Sequence, residues 1–203
     1  MKTIITIQHT QSVHHINGMV GSWTDWDLSD KGKKQAENIG KKLSNEFKNH
    51  KFVMYSSDLK RAKQTAEIVG KYMKTKPILT TRLRERNLGK CCGKSTLWLK
   101  ENIECAEKTV DDRMFSDAES RRDEWNRLFP FFQEIVNNKY EDIIIVSHGD
   151  LLSAFNFMWL GLNVESINNT EIFGFSGGIS IMLENNDGRR IIKKISDMSY
   201  VRE

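Results

Sequence analysis

Three cysteines and two prolines are all that the 203 residues contain of either. Cys91, Cys92 and Cys105 are an odd number of thiols in a chain long enough to bury a full hydrophobic core. They are therefore expected to be free rather than part of a disulfide framework, and their spacing matches no zinc pattern. No metal and no cofactor are expected. No stretch rich in Pro, Ser or Gly divides the chain and no repeat appears, so a single domain over 1–203 is expected. Long apolar runs are also missing: the N-terminal one ends too early for a signal peptide, and none is long enough to span a membrane. That predicts a soluble, cytoplasmic protein with no membrane partner. Charge of one sign is not concentrated either. Lys and Arg number 31 against 27 Asp and Glu, a formal charge of +4, with the signs interleaved. This argues against nucleic acid as a partner and leaves room for a small anionic substrate in a local positive pocket. The Gly-x-Gly-x-x-Gly turn that a dinucleotide-binding fold places after its first strand is absent.

What is present is led by one stretch. Thr3 to Ile7 is an unbroken β-branched, apolar run that turns polar after Gln8, the pattern of a strand buried on both faces, with His9 at its mouth. Ile143 to Val146 repeats the pattern and runs out into Ser147-His148-Gly149-Asp150. Ligands of open α/β folds bind beyond the carboxyl ends of parallel strands, where two strand-end histidines would face one substrate. Phe52 to Ser56, Pro77 to Thr80, Ile172 to Phe175, Ile179 to Leu183 and Ile191 to Ile195 read as further strands, the last two joined by a turn at Asn186-Asp187-Gly188.

Helices alternate with these strands and place the class as α/β. Ser29-Asp30 opens one with Ala36, Ile39, Leu43 and Phe47 on a face, around which Lys31, Lys33, Lys34, Lys41 and Lys42 form a solvated side. Ser57-Asp58 is expected to cap a second, carrying Leu59, Ala62, Ala66 and Val69. Ala118-Glu119-Ser120 opens a third with Trp125, Leu128, Phe129, Phe132, Ile135 and Val136, in which Pro130 is placed to kink the helix. Leu151 to Leu160 is a fourth. Arg61 stands in the first turn of its helix, away from the end the macrodipole favours for cations, which suggests an anionic partner. Residues from about 87 to 117 fall outside the alternation. Punctuated by Gly89 and Gly93 and helical near Ser95 to Lys108, they are expected to form a cap insertion over the site, with Leu97, Trp98 and Phe115 either walling it or packing a core.

In order, the strand ending in His9, Leu28-Ser29-Asp30-Lys31-Gly32, Ser56-Ser57-Asp58-Leu59-Lys60-Arg61-Ala62-Lys63-Gln64-Thr65-Ala66, Leu83-Arg84-Glu85 with Gly89 and Gly93, Glu119-Ser120, and Ser147-His148-Gly149 resemble the histidine phosphatase superfamily. The branch is that of the cofactor-dependent phosphoglycerate mutases and related small-molecule phosphatases, and the match covers essentially the whole chain. The resemblance implies a three-layer α/β/α fold with a mostly parallel central sheet and a small phosphorylated substrate. By it, His9 is the nucleophile that accepts the phosphoryl group, Arg61 and His148 hold phosphate oxygens, and Glu85 protonates the leaving alcohol and then activates water. Phosphoryl transfer is mainly positioning and charge stabilisation, so the nucleophile must be ringed by donors. A neutral imidazole attacks well when its other nitrogen is fixed by an acceptor. Like charge from a bound dianion would raise the pKa of Glu85 and keep it protonated.

Two departures stand out. The family's Arg-His-Gly is here Gln8-His9-Thr10, and losing that cation is expected to slow turnover by roughly ten- to a thousandfold, with Gln8 still donating through its amide. Counted without gaps, the family's phosphate-contacting Asn falls on His15. As an imidazolium, His15 would partly replace the lost charge and favour mildly acidic pH. Ser12 matches the hydroxyl-bearing member of the loop and is a candidate donor to phosphate. The leading expectation is a phosphomonoester hydrolase working through a phosphohistidine. Mutase-type phosphoryl transfer ranks below it, because 87–117 is poor in the paired arginines that mutases use, though Arg86 or Arg113 could contribute. The alternative from another class is a catalytically impaired phosphate-ligand-binding or interaction protein, against which the retention of Glu85 argues.

Overall fold

The computed structural model describes residues 1–137 and 142–202. Six strands, β1 (Lys2–Gln8), β2 (Val53–Ser57), β3 (Pro77–Thr80), β4 (Asp142–Ser147), β5 (Ile179–Glu184) and β6 (Arg190–Asp197), form one sheet in the order β3-β2-β4-β1-β5-β6. The first four in that order are parallel; β5 runs antiparallel to β1, and β6 to β5. Six helices accompany them among the described residues: α1 (His14–Asn17), α2 (Asp30–Glu46), α3 (Lys60–Met73), α4 (Thr96–Asn102), α5 (Arg121–Asn137) and α6 (Gly149–Trp159). No helix among the described residues is long and apolar enough to cross a membrane.

The strands' twofold alternation divides the core into two slabs. Ile5, Ile7, Ile144 and Val146 face α2 and α3, whose Ile39, Leu43, Ala62, Ala66 and Val69 close over them. Ile4, Ile143 and Ile145 face α5 and α6 through Leu128, Phe131, Ile135, Phe155 and Trp159. The result is a three-layer α/β/α fold with a mostly parallel sheet. Each large apolar side chain fully buried in these slabs contributes about 1.5–3 kcal/mol.

Local differences from the sequence pattern have physical causes. Ser57 and Asp58 do not cap the second helix. Ser57 closes β2, its Oγ accepting from the Leu59 N–H at 3.2 Å, and Asp58 is taken by the Arg84 guanidinium at 2.6 and 2.8 Å, so α3 opens at Lys60. Ile172 to Phe175 is no strand. Phe173 and Phe175 point outward, 59% and 69% exposed, and the Phe175 N–H is bound by the Ser196 hydroxyl rather than a strand partner. Pro130 lies inside an uninterrupted α5, and the buried stripe passes through Phe131 while Phe129 is 40% exposed. The helix expected over 95–108 stops at Asn102, after which Glu104 and Cys105 donate to the Met114 carbonyl. Around it Val20, Cys91, Phe115 and Ala118 make a small separate core, with Trp98 stacked on Phe115 at 5.8 Å. The three cysteines are free thiols.

Candidate active site

The register of β1 against β4 sets Gln8 opposite Ser147, so His9 and His148 are the next residues out at one sheet edge. His9 is held from four sides. Its N–H donates to the Ser147 carbonyl at 2.9 Å, its carbonyl accepts from Ser176 Oγ at 2.9 Å and from the Gly177 N–H, and its Nδ1 lies 2.9 Å from the Thr10 carbonyl. Only a protonated Nδ1 can bond a carbonyl, which leaves the lone pair on Nε2. That lone pair accepts from Arg61 Nε at 3.1 Å. Burial and the Arg61 cation push the imidazole well below its ordinary range, so it is neutral.

Arg61 is almost fully buried, and its other two nitrogens donate to the carbonyls of Ser22 and Thr24, both at 2.8 Å. Ser22 adopts a left-handed backbone at φ 46°, a conformation costing a non-glycine residue about 1–2 kcal/mol, and the same residue binds the Arg86 carbonyl and the Leu88 N–H through its hydroxyl. The His9 loop is tied to α2 at Gln11, whose carbonyl receives the Ser29 N–H at 3.0 Å. A Cβ at Gly32 would stand 1.9 Å from that oxygen, which is why glycine follows the cap there. Thr10 fits without positive φ because its N–H and hydroxyl both meet Thr65 Oγ1, at 3.2 and 3.3 Å.

His148 meets His9 edge-on, ring centroids 5.1 Å apart. Its Nε2 lies 2.9 Å from Ser57 Oγ, while its buried Nδ1 has no partner. Ser57 Oγ also accepts from the Leu59 N–H, so Nδ1 is the ring nitrogen of His148 left without a hydrogen-bond partner among the described residues. His15 stacks on His9 with centroids 5.4 Å apart and planes 7° from parallel. Its Nδ1 accepts from the Ser12 N–H at 3.2 Å, and burial and Arg61 lower its pKa. In the site as it stands His15 is therefore a neutral ring with an Nε2–H, not the expected imidazolium. Ser12 is fully buried with its Oγ 2.6 Å from His14 Nδ1, away from the cavity lining; His14, which the sequence pattern did not single out, takes a place there. The Gln8 amide lies between Gly149 and Gly174, where added Cβ atoms would stand 3.3 and 3.0 Å from it.

A cavity of about 210 Å³ opens at this edge, with Gln8, His9, His14, His15, Arg61 and Glu85 in its lining. The larger groove of about 760 Å³ along α3 and β3 contains no histidine and lies apart from these groups. Glu85 Oε1 accepts from the N–H groups of Arg86 at 3.0 Å and Leu151 at 3.3 Å. Its carbonyl is fixed by Trp23 Nε1 at 2.6 Å and Arg127 at 3.1 Å, and Arg127 is in turn gripped by Glu119. Burial first, then the charge of Asp150, pushes Glu85 up to about 7. The Glu85 carboxyl is thus raised by the protein itself, without the charge of a bound dianion. Arg86, Asp150, Leu88 and Phe173 also line the cavity, whereas Leu97, Trp98, Phe115 and Arg113 lie outside the lining, Arg113 holding Asp123. The nitrogens of His9, His14 and His15 approach within 4.8 Å of one another, a metal-ligand composition. Against that use, the His9 lone pair already receives a guanidinium N–H, an arrangement suited to an anion.

A family model described as the histidine phosphatase superfamily (branch 1) matches residues 4–197. The chain belongs to that superfamily. It is 28% identical over 204 residues to a 2,3-bisphosphoglycerate-dependent phosphoglycerate mutase of Bartonella henselae, covering 95% of this chain and 97% of the relative. It is 28% identical over 191 residues to a glucosyl-3-phosphoglycerate phosphatase of Mycolicibacterium vanbaalenii, covering 89% and 82%. In fold it matches Bacillus stearothermophilus YhfR over the whole of both chains, with a TM-score of 0.86 at 22% identity. Homologues of the superfamily member are named as phosphatases and mutases, and hydrolysis of a small phosphorylated metabolite is consistent with that membership.

Sequence reasoning missed Thr65, Arg127 and Asp150 as parts of this histidine phosphatase site. Arg127 carried a signal, an arginine within an apolar helical stripe next to Leu128. Thr65 and Asp150 carried none of their own, since their importance comes from partners 55 and 64 residues away in sequence.

Proposed function

We propose that this chain hydrolyses a small phosphomonoester through a phosphohistidine at His9 Nε2, without metal or cofactor. The observation that carries this is the tautomer: Nδ1 bound to the Thr10 carbonyl leaves the lone pair on Nε2, and Arg61 Nε, which otherwise donates to it, turns to a phosphoryl oxygen as substrate binds and frees it to attack. Arg61, the neutral Nε2–H of His15 and the Gln8 amide receive the phosphoryl oxygens from the cavity lining, and His148, whose ring meets that of His9 and whose buried Nδ1 has no partner, joins them when that nitrogen carries the proton. Ser12 acts through His14 rather than on phosphate. Glu85, protonated near neutral pH, gives its proton to the departing alcohol; once ionised it takes a proton from the water that attacks phosphorus, which breaks the N–P bond and restores the imidazole. The Nε2–H of His15 offers a donor in place of the family's asparagine without requiring acid pH.

Hydrolysis is favoured over mutase transfer because Arg86 is engaged by Glu107 and Asp150 and Arg113 by Asp123, so that among the described residues lining the cavity no guanidinium besides Arg61 is free of a carboxylate to clamp a second anionic group. Of the segment 87–117, Leu88 lines the cavity and Glu107 reaches it through Arg86. Steady-state release of p-nitrophenolate from p-nitrophenyl phosphate is the direct test. His9→Ala is expected to lose at least about four orders of magnitude, the scale of removing a nucleophile. Unchanged turnover in that variant would reject the route, and phosphate binding without any turnover in the wild type would establish the impaired binder instead.

A further inference from the structure

The cavity is electrically uneven. Among the residues that line it the only cationic side chains are Arg61 and Arg86. Arg61 belongs to the phosphate end. Arg86 also lines the cavity, 3% exposed, with Nη1 and Nη2 on the two oxygens of Glu107 at 2.6 and 3.2 Å and Nε 3.3 Å from Asp150 Oδ2, an ion pair in which the Nε–H makes no hydrogen bond. One guanidinium is thus set against two carboxylates; with the phosphate at Arg61, the alcohol part of the ester falls beside this group, where the carboxylates outnumber the guanidinium by one charge. The remaining lining of the cavity includes Val20, Leu88 and the 59% exposed ring of Phe173. A substrate carboxylate would have to displace Glu107 from a bidentate pair and then face Asp150. An ammonium group would instead neutralise the surplus charge, lay its methylene stem on Val20 and Leu88, and use the Phe173 face.

Resting on the phosphatase reading, we propose that the alcohol released by this enzyme bears an ammonium group and no carboxylate: the substrate class is the phosphomonoester of a short amino alcohol, selected by Asp150 and Glu107 through the charge they leave around Arg86. Asp150 is a specificity residue of the lining, and Glu107 acts through Arg86 as a positioning residue. This separates the chain from relatives named for phosphoglycerates, since among the described lining residues no cation besides the phosphate-binding Arg61 is free of a carboxylate to receive theirs.

A size-matched series tests the idea. Three esters, namely aminoethyl phosphate, hydroxyethyl phosphate and phosphoglycolate, are compared by their kcat/KM on the full-length protein, with p-nitrophenyl phosphate as the control for the phosphatase chemistry. The expected order is ammonium, then neutral, then carboxylate, with at least about a tenfold ratio between the extremes, as one like-charge contact of about 1.4 kcal/mol would give. Asp150→Asn and Glu107→Gln are each expected to shrink that ratio severalfold. Because a ratio of two substrates cancels what a substitution does to the shared chemistry, a merely structural role for these carboxylates leaves it unmoved. Equal or inverted preference in the wild type, with p-nitrophenyl phosphate turned over, overturns the proposal and leaves the phosphatase reading standing. An unmoved ratio in both variants overturns the assignment to Asp150 and Glu107. Absence of turnover on every substrate removes the phosphatase reading, and this inference with it.

Discussion

Arg61 and Arg86 are two nearly buried guanidiniums in the lining of one cavity, and they are held in opposite ways. Arg61 is gripped by the Ser22 and Thr24 carbonyls and by a neutral imidazole. Burial lowers it to about 10, so it remains charged at neutral pH with its charge uncompensated by any direct carboxylate bond. Arg86 is gripped by carboxylates, whose charges hold it above the ordinary arginine range. A cation positioned by dipoles keeps its field for a ligand, whereas one positioned by acids has already given it to the protein. The first makes an anion site, the second a scaffold.

That contrast is broken most directly by removing each guanidinium. Arg61→Ala is expected to lower kcat/KM by about 10²–10³, the effect of deleting a donor to a developing anion. Arg86→Met is expected to act the other way round. It leaves Glu107 and Asp150 unpaired in a site that is mostly closed to water, costing about 3–5 kcal/mol of folding stability by denaturant titration, with a smaller change in the rate on p-nitrophenyl phosphate. If both variants lose rate and stability in the same proportion, the distinction between the two arginines is wrong.

The pH profile sharpens it further. Glu85 must be protonated to release an alkoxide and is pushed up to about 7, while His9, neutral well below its usual range, needs no deprotonation near neutrality. For alkyl phosphates kcat/KM is therefore expected to hold level from mildly acidic pH to about 7 and then fall, approaching tenfold per unit. Glu85→Gln removes the limb and costs about 10²–10⁴ on alkyl phosphates. On p-nitrophenyl phosphate, whose leaving group departs as an anion, the first step is largely spared.

A smaller effect lies behind the acid. Glu124 is fully buried, its Oε1 has no partner, and burial with the charges of Asp150 and Glu85 raises it well above the usual carboxyl range. An acid raised on folding binds its proton more tightly in the native state, so stability is lost as pH climbs from its unfolded value through its folded one. Glu124→Gln removes that loss, and its melting temperature relative to wild type is expected to rise with pH from 5 to 8. One unit of separation corresponds to about 1.4 kcal/mol. The mildest change is His15→Asn, which keeps an N–H donor: less than about a tenfold loss and an unaltered pH profile are expected, with His15→Ala losing more. An acidic limb that disappears in His15→Asn would restore the imidazolium.

The core of the site was legible where local pattern and topology coincide. Two unbroken apolar runs ending in His9 and His148 become parallel neighbours, and their register places the two rings together. Glu85 and Arg61 were legible through the family resemblance, since an isolated Leu-Arg-Glu or an early helix arginine has little meaning alone. What escaped lies in side-chain pairing between distant segments. Ser57-Asp58 looked like a cap because sequence cannot show that Arg84 will claim Asp58, and Ile172 to Phe175 looked like a strand because alternation does not reveal whether an edge is free to receive it. The engagement of Arg86 by Glu107, 21 residues on, has no periodicity to betray it.

The central claim is that His9 attacks through Nε2. Glu85→Gln with p-nitrophenyl phosphate should form the phosphoenzyme faster than water can remove it, so rapid quenching into base, digestion and analysis of the His9 peptide measures the claim itself. A base-stable, acid-labile phosphoryl group on Nε2 of His9 is expected, missing in the double variant with His9→Ala. A phosphoryl group on Nδ1, on His14 or His15, or on no histidine at all would contradict it.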